Sequence, residues 1–183
     1  DAELVVVGGG LAGVAAALEA AEAGIHVLLL EKLGETGGSS AMCSGCLAFA
    51  GTDLQRNQGI EDSDELLFRD LREVGAFEND ERIVRAYVRG QLDTYEWLRG
   101  KGAEFSPIIE ASSGQSVPRV HTVDPADLMR LLERLARATG CVEVLMNTAA
   151  RRLLRRSADG RVEGVIAERG GAVVGMHQVE ERS

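Results

Sequence analysis

The chain has 183 residues, 45% of them hydrophobic and 27% charged, which is the balance of a folded globular protein rather than a disordered one. Its formal net charge of −9 argues against a nucleic-acid partner, because phosphate backbones attract clustered Lys and Arg. We find no signal peptide and no run near the roughly 20 apolar residues of a membrane span, so we expect a cytoplasmic protein without a membrane span. The three cysteines are an odd number and predict reduced thiols.

The first part of the chain has a pattern typical of a β-α-β unit. Leu4–Val7 is a largely β-branched run and predicts a strand buried on both faces of a parallel sheet. Residues 11–23 are rich in Ala and Leu and predict a helix, with Gly24 as the glycine that ends it. Residues 25–30 then predict a second strand.

A glycine motif separates the first strand from the helix, with the spacing G-x-G-x-x-G at Gly8, Gly10 and Gly13. The first glycine permits a tight turn, the second lets the backbone approach a pyrophosphate, and the third lets helix and strand pack closely. The N-terminus of the helix would present unpaired amides and its positive dipole end to the phosphates. Glu31 follows the second strand, where an acid can accept hydrogen bonds from a ribose diol. The sequence therefore predicts a dinucleotide-binding site.

Residues 34–51 are rich in Gly, Ser and Ala without a steady period, and we interpret them as a functional loop. An NAD-binding domain would normally continue with another helix and a parallel strand. A long polar, glycine-rich loop can instead run alongside an extended cofactor, so this segment favours FAD over NAD.

Two amphipathic helices are predicted next, the first behind an Asp62 cap and the second behind an Asp80 cap. Their apolar faces are formed by Leu67, Leu71 and Val74, and by Val84, Val88, Leu92 and Tyr95. Residues 102–123 contain two of the three prolines and several serines, which predicts mostly loop with short strands.

A third helix is predicted from Asp124 as N-cap and Pro125 at the first helical position. Residues 142–146 predict a short strand. Asp159 and Gly160 lie between two apolar runs and are a strong signal for a hairpin turn.

These residues resemble a known family. Residues 5–31, the run from Gly37 to Ser40, and Ser44 with Gly45 are similar to the FAD-binding segment of the fumarate reductase and succinate dehydrogenase flavoprotein superfamily, and the hairpin at residues 159–161 also fits. The resemblance covers most of the chain, strongly to Phe49 and again over residues 119–167. It implies an α/β, Rossmann-like FAD-binding domain of the glutathione-reductase type over residues 1–183, with a helical and loop excursion at 52–118 and a β-hairpin or meander.

The resemblance also implies an activity. Soluble members of the superfamily reduce or desaturate carbon-carbon bonds next to carboxyl or carbonyl groups, so we expect a small-molecule substrate and FAD as cofactor. The family's principal acid and its carboxylate-binding arginine and histidine lie farther along than this sequence extends, and we therefore expect the sequence to be truncated. Neither a catalytic residue nor the electron partner is assigned, and no metal site is predicted.

The resemblance assigns roles residue by residue. Gly8, Gly10 and Gly13 would hold the pyrophosphate and Glu31 the adenosine ribose. The other cofactor-binding residues would be Lys32, Gly38, Ser39, Ser40, Ser44, Gly45 and Ala150. The serines with Gly45 would lie along the pyrophosphate and the flavin, and Ala150 would meet the adenine through its backbone.

His121 lies near the place where soluble fumarate reductases have a histidine close to substrate and flavin. Two interpretations remain open at this point. The histidine binds substrate, or it only forms hydrogen bonds with the backbone of its own loop.

Cys43 and Cys46 form a C-x-x-C where the family more often has glycine or alanine. The pair could be redox-active, which would make the protein a flavin disulfide reductase, or it could contribute to a metal site. The interpretation we favour is that both are small residues packed beside the flavin. A further alternative for the whole chain is a catalytically silent nucleotide-binding module.

Overall fold

The computed structural model describes residues 2–155, 157 and 160–177. The chain divides into two compact units, the first formed by Asp1–Met42 with Ala126–Ser183 and the second by Cys43–Pro125. The assignment of residues 1–183 to one domain with an excursion at 52–118 stays a prediction. Across the described residues, no helix combines the length and the apolar character needed to cross a membrane.

The helices and strands are labelled in chain order. They are β1 (Leu4–Val7), α1 (Leu11–Glu22), β2 (Val27–Leu30), α2 (Gly38–Ala41), β3 (Cys46–Ala48), α3 (Asp53–Asn57), α4 (Asp64–Val74), α5 (Glu81–Gly100), β4 (Val120–Thr122), α6 (Pro125–Ala138), β5 (Val142–Leu145), β6 (Thr148–Arg155), β7 (Val162–Arg169) and β8 (Ala172–His177).

The first unit contains a parallel sheet in the order β1-β2-β5, which is the expected Rossmann-like arrangement. All four residues of β2 are buried, as befits the central strand. The prediction that β1 is buried on both faces is wrong, because its residues are half-buried and Val7 is 55% exposed. Among the described residues β1 pairs only with β2, so it is an edge strand.

Helix α1 ends close to the predicted place. Its last helical residue is Glu22, Ala23 is the C-cap, and Gly24 follows with φ +84°. Glycine suits this position because a left-handed backbone after a helix strains residues that carry a Cβ.

The second sheet of the first unit is an antiparallel meander, β6-β7-β8. Val165 and Ala167 of β7 pack with Leu28 and Leu30 of β2 in one apolar cluster. The hairpin between β6 and β7 agrees with the sequence, although Asp159 of the predicted turn lies outside the described residues. Strand β8 makes this sheet a meander rather than a simple hairpin, which is one of the two forms that the resemblance implies. Its turn has the signal of two consecutive glycines, Gly170 and Gly171, with φ +57° and +82°.

The second unit is built on α4 and α5, whose inner faces bury Leu67, Val84 and Val88. Asp80 caps α5 as predicted, its carboxylate accepting from the Arg82 amide at 2.9 Å. The predicted Asp62 cap of α4 is wrong. Ser63 is the N-cap and accepts from the Leu66 amide at 3.2 Å, because it directly precedes the first helical residue.

Asp62 belongs instead to a buried ion cluster with Arg119 and Asp70. The Arg119 side chain has no exposed surface; its Nε and Nη2 donate to Asp62 at 2.6 and 2.8 Å, and its Nη1 donates to Asp70. The Ser116 amide also donates to Asp70, at 2.7 Å. Burial alone would raise the pKa of Asp70, but the hydrogen bonds from Arg119 and Ser116 hold it below its usual value. Every charge in this cluster is thus compensated by an opposite charge or by hydrogen bonds.

The sequence suggested a loop over residues 34–51, but the segment is not irregular throughout. It contains the short helix α2 and the strand β3, which pairs with β4 so that Cys46 lies opposite Thr122 and Ala48 opposite Val120. Regular structure this short has too few residues to show a period against a glycine-rich background. Residues 102–123 are mostly irregular with β4 and two isolated bridges, as predicted.

Candidate functional site

The glycine motif forms a turn in which its first and third glycines touch. Gly8 has φ +101°, and its amide donates to the Leu30 carbonyl at 2.8 Å. A Cβ built on Gly13 would lie 1.9 Å from the Gly8 carbonyl oxygen, so no side chain fits there. The absence of a Cβ lets α1 start directly against the end of β1.

The N-terminus of α1 is capped only in part. Gly10 is its N-cap and offers no side chain, while the Leu11 amide donates to Ser40 Oγ at 3.2 Å. The amides of Ala12 and Gly13 have no hydrogen-bond partner within the described part of the chain. Free amides at the positive end of a helix dipole form an anion-binding surface without any basic side chain.

Glu31 is tied to this turn by its carboxylate. One oxygen accepts from the Gly9 amide at 2.7 Å and the other from the Leu33 amide at 2.8 Å. The residue is only 7% exposed, so its position is set by these bonds. A carboxylate has about four acceptor directions, and two remain for hydroxyl donors such as those of a ribose.

The segment after Glu31 folds back over the glycine turn. The Gly37 amide donates to the Gly9 carbonyl at 2.8 Å, and Ser40 reaches α1 through its hydroxyl. Gly37 and Gly38 have φ +108° and +48°, which explains the two adjacent glycines. The first unit therefore brings the three motif glycines, Glu31, Gly38 and Ser40 together through the turn and its direct partners.

Three other predicted residues of the first unit lie at its surface or in its sheet. Lys32 and Ser39 are exposed. Ala150 lies on β6, where the register with β7 shifts between Ala150 and Arg152, and it packs partly against the apolar cluster of β2 and β7. A register shift leaves backbone groups outside the regular ladder.

Ser44 and Gly45 belong to the second unit. Gly45 has φ +72°, and a Cβ there would lie 2.0 Å from the Val123 carbonyl oxygen, so only glycine fits. Its own carbonyl accepts from the Val123 amide at 3.1 Å, which holds Gly45 beside the end of β4. Ser44 is exposed.

Cys43 and Cys46 are exposed free thiols on either side of Ser44 and Gly45. Among the described residues, no three His, Cys, Asp or Glu side chains gather in a way that could hold a metal ion. The favoured packing role and the redox role of this pair both stay predictions.

His121 is enclosed in the second unit, with no exposed surface. Its Nδ1 lies 2.7 Å from the Arg119 carbonyl oxygen and its Nε2 lies 2.8 Å from Thr52 Oγ1. A carbonyl can only accept, so Nδ1 carries the proton, and Nε2 of the neutral ring accepts from the Thr52 hydroxyl. The rings of Phe49 and Tyr95 stand at 5.4 and 5.3 Å from its own.

This geometry corresponds to the second interpretation of His121, a histidine bonded to the backbone of its loop. Burial lowers the pKa of the ring, although the Arg119 carbonyl and nearby aspartates oppose that shift. A contact between His121 and substrate stays a prediction. Thr52 was not singled out from the sequence, yet Thr52 and Gln55 form a capping box, which is a recognisable pattern.

The close contact at Gly13 leads to a first prediction. Gly13→Ala should lower the free energy of unfolding by about 1 to 3 kcal/mol, because the added methyl must displace the Gly8 carbonyl. Gly90→Ala is the matched control, since Gly90 also lies within a helix and has no atom within 4 Å of its built Cβ. It should raise stability by up to about 1 kcal/mol through helix propensity. Urea denaturation of both variants measures the difference, and equal effects would contradict the contact.

A second prediction concerns the pH dependence of stability. The unfolded chain binds a proton at His121 near pH 6.5, whereas the folded ring, whose pKa is lowered, stays neutral to lower pH. The unfolded state then binds more protons, so the free energy of unfolding falls as pH drops below about 6.5, by up to about 1.4 kcal/mol per pH unit. His121→Gln should remove this part of the slope between about pH 6.5 and 5, as followed by urea midpoints.

His26→Gln, at an exposed histidine, provides the control and should keep the slope of the parent chain. A parent-like slope in His121→Gln would show that the neutral buried ring is not its source.

Known proteins are similar to this chain over most of its length. Residues 3–180 match the family described as FAD binding domain. The chain is 35% identical over 167 residues to the vinyl phenol reductase of Lactiplantibacillus plantarum, a match that covers 91% of this chain and 33% of that protein. It is 36% identical over 171 residues to the urocanate reductase of Eggerthella lenta, covering 91% of this chain and 28% of that protein.

A solved structure agrees with these matches. The 3-ketosteroid-Δ4-(5α)-dehydrogenase from Rhodococcus jostii RHA1, solved with 4-androstene-3,17-dione, superposes with a TM-score of 0.84 at 28% identity, covering 96% of this chain and 44% of that one. The chain thus spans about a third of the length of the two curated relatives. The family match and the two identities show that the chain belongs to the FAD binding domain family and is homologous to FAD-dependent oxidoreductases.

Proposed function

We propose that this chain is the FAD-binding portion of an oxidoreductase that reduces or dehydrogenates a carbon-carbon bond next to a carboxyl or carbonyl group. The observation that carries the proposal is the bond between the Gly9 amide and the buried Glu31 carboxylate, at 2.7 Å. It joins an anion-binding turn to a ribose acceptor in one rigid arrangement. The reductases and the dehydrogenase that the chain resembles support the reaction class.

The donor set of the first unit fits FAD. The free amides of Ala12 and Gly13 suit a pyrophosphate, and the bare Gly10 leaves room for its approach. In this proposal Gly8, Gly10 and Gly13 hold the pyrophosphate and Glu31 the ribose hydroxyls. Lys32 lies in the adjoining exposed segment and would be a further cofactor-binding residue.

The remaining predicted residues would contact other parts of the cofactor. Gly38, Ser39 and Ser40 would contact the pyrophosphate, and Ala150 would present its backbone to the adenine. Ser44 and Gly45 would lie along the flavin. Their hydroxyls and amides donate hydrogen bonds without adding charge, which suits a group whose electron content changes during turnover.

The bound flavin would supply hydride transfer, and the protein orients the reactants and shapes the electrostatics. We assign no residue of the described part of the chain to proton transfer. His121 would act through position, because both ring nitrogens are engaged and the ring packs against Phe49 and Tyr95. It anchors Thr52 and hence the start of α3 against β4. The substrate would be a small unsaturated acid or ketone, or its saturated counterpart.

The ribose contact gives a third prediction. Glu31→Gln should weaken FAD binding by about tenfold or more, because the amide group points a donor at the Gly9 or Leu33 amide and loses a charge-assisted bond to the ribose. Titration of the chain with FAD, followed by quenching of flavin fluorescence, measures the affinity. Glu143→Gln, at an exposed residue of β5, is the control and should bind like the parent chain. A parent chain that binds no FAD would refute the proposal.

The cysteines give a fourth prediction, which separates the proposed reaction from disulfide reduction. In the flavoprotein that carries this domain, Cys43→Ser with Cys46→Ser should leave FAD binding unchanged and should keep turnover of an α,β-unsaturated acid within about twofold, since neither thiol takes part in hydride transfer. Turnover is followed by oxidation of a reduced dye. Loss of turnover together with retained FAD would favour the disulfide reductase, and parent protein that binds FAD but transfers no electrons would favour the silent module.

A further inference from the structure

Gly9, between the first two motif glycines, is held from three directions. Its amide donates to Glu31 at 2.7 Å, and its carbonyl accepts from the Gly37 amide at 2.8 Å. On the third side, the Thr36 methyl carbon lies 3.0 Å from where a Cβ of residue 9 would be. Thr36 therefore packs against the glycine turn at Gly9, on the side where a side chain of residue 9 would lie.

Thr36 is in turn held by helix α6. Its hydroxyl donates to Glu133 Oε2, and Glu133 Oε1 accepts from Arg137 Nε at 2.8 Å. The side chain of Glu133 is 23% exposed, less than the 45% of Arg137, so this carboxylate is partly shielded from water. A continuous series of contacts thus runs from α6 through Thr36 to Gly9, within the first unit.

We propose that Thr36 and Glu133 are positioning residues that hold the glycine turn in its binding conformation and thereby set the affinity for FAD. The proposal rests on the proposed function. The segment between Glu31 and α2 contains Gly34 and Gly37, and such a segment has many accessible backbone conformations. Anchoring it at Thr36 removes these conformations before the cofactor arrives, so less ordering opposes binding.

The two ends of the Thr36 side chain can be tested separately. Thr36→Val keeps a methyl against Gly9 but loses the hydroxyl that Glu133 binds, whereas Thr36→Ser keeps the hydroxyl and loses the methyl. Glu133→Ala removes the anchor from the other side. Asp127→Ala is the matched control, because it breaks an exposed ion pair with Arg130 on the same helix.

The first experiment measures FAD affinity by fluorescence quenching. Thr36→Val and Glu133→Ala should each weaken binding about five- to tenfold, as expected for one lost hydrogen bond to a charged group. The double variant should be no weaker than either single variant within about twofold, since both changes remove one interaction. Thr36→Ser, which loses only the methyl contact with Gly9, should weaken binding less than Thr36→Val does, and Asp127→Ala should stay within about twofold of the parent chain.

The second experiment needs no cofactor. Hydrogen exchange of the Gly37 amide, followed by NMR in the chain without FAD, should become about tenfold faster in Thr36→Val, while the amides of Val27 and Leu29 in the parallel sheet keep their rates. The sheet amides show that the variant is folded. Faster exchange of all three amides would indicate a general loss of stability and would overturn a positioning role.

Other outcomes would also overturn the proposal. These are parent-like affinity in Thr36→Val, additive effects of Thr36→Val and Glu133→Ala, or a Thr36→Ser variant as weak as Thr36→Val. If the parent chain binds no FAD, the proposed function fails, and the Gly37 exchange rate alone decides whether Thr36 holds the turn.

Discussion

The contact between Gly13 and the Gly8 carbonyl is the constraint on which the first unit depends. Because a Cβ at residue 13 would lie 1.9 Å from that oxygen, α1 can begin here only if residue 13 is glycine or the turn opens. With the contact in place, the end of β1, the start of α1 and the end of β2 meet at one point. Glu31 then reaches the Gly9 amide, and the segment after it can fold back onto the turn.

The resulting site is made mainly of backbone. Its anion-binding groups are amides at a helix N-terminus, its one charged participant in the turn is Glu31, and its neighbouring segment supplies glycines and serines. Such a site depends on main-chain geometry more than on side-chain identity, because a displaced carbonyl changes the direction of the adjacent amides. This explains why contacts remote from the cofactor, such as that of Thr36 with α6, matter for the site.

Much of this arrangement follows from the sequence because the signals are local. Gly8, Gly10, Gly13 and Glu31 lie at fixed distances within one β-α-β unit, and the Asp80 cap directly precedes its helix. The prediction of an Asp62 cap is wrong because Arg119, far along the chain, binds that carboxylate. Ser63 caps α4 instead. No residue near Asp62 or Asp70 in the sequence indicates that Arg119 is their partner.

The prediction of the short elements failed for another reason. Helix α2 and strand β3 are determined by the backbone angles of Gly37, Gly38 and Gly45 and by pairing with β4, which no periodicity reveals. The enclosure of His121 likewise depends on Phe49 and Thr52, between β3 and α3, and on Tyr95 of α5, which approach it from two different segments. A candidate residue can be found from its neighbours in sequence, but its accessibility is decided by its neighbours in space.

The buried cluster of Arg119, Asp62 and Asp70 has a consequence for how the second unit folds. Its ion pairs join residues 57 and 49 positions apart, so large loops must close before either aspartate gains its partner. Helix α4 can form from local contacts, but Asp70 on its inner side stays hydrated until the segment that carries Arg119 arrives. The carboxylates of Asp62 and Asp70 can therefore lose their water without an unpaired buried charge only once Arg119 docks beside them.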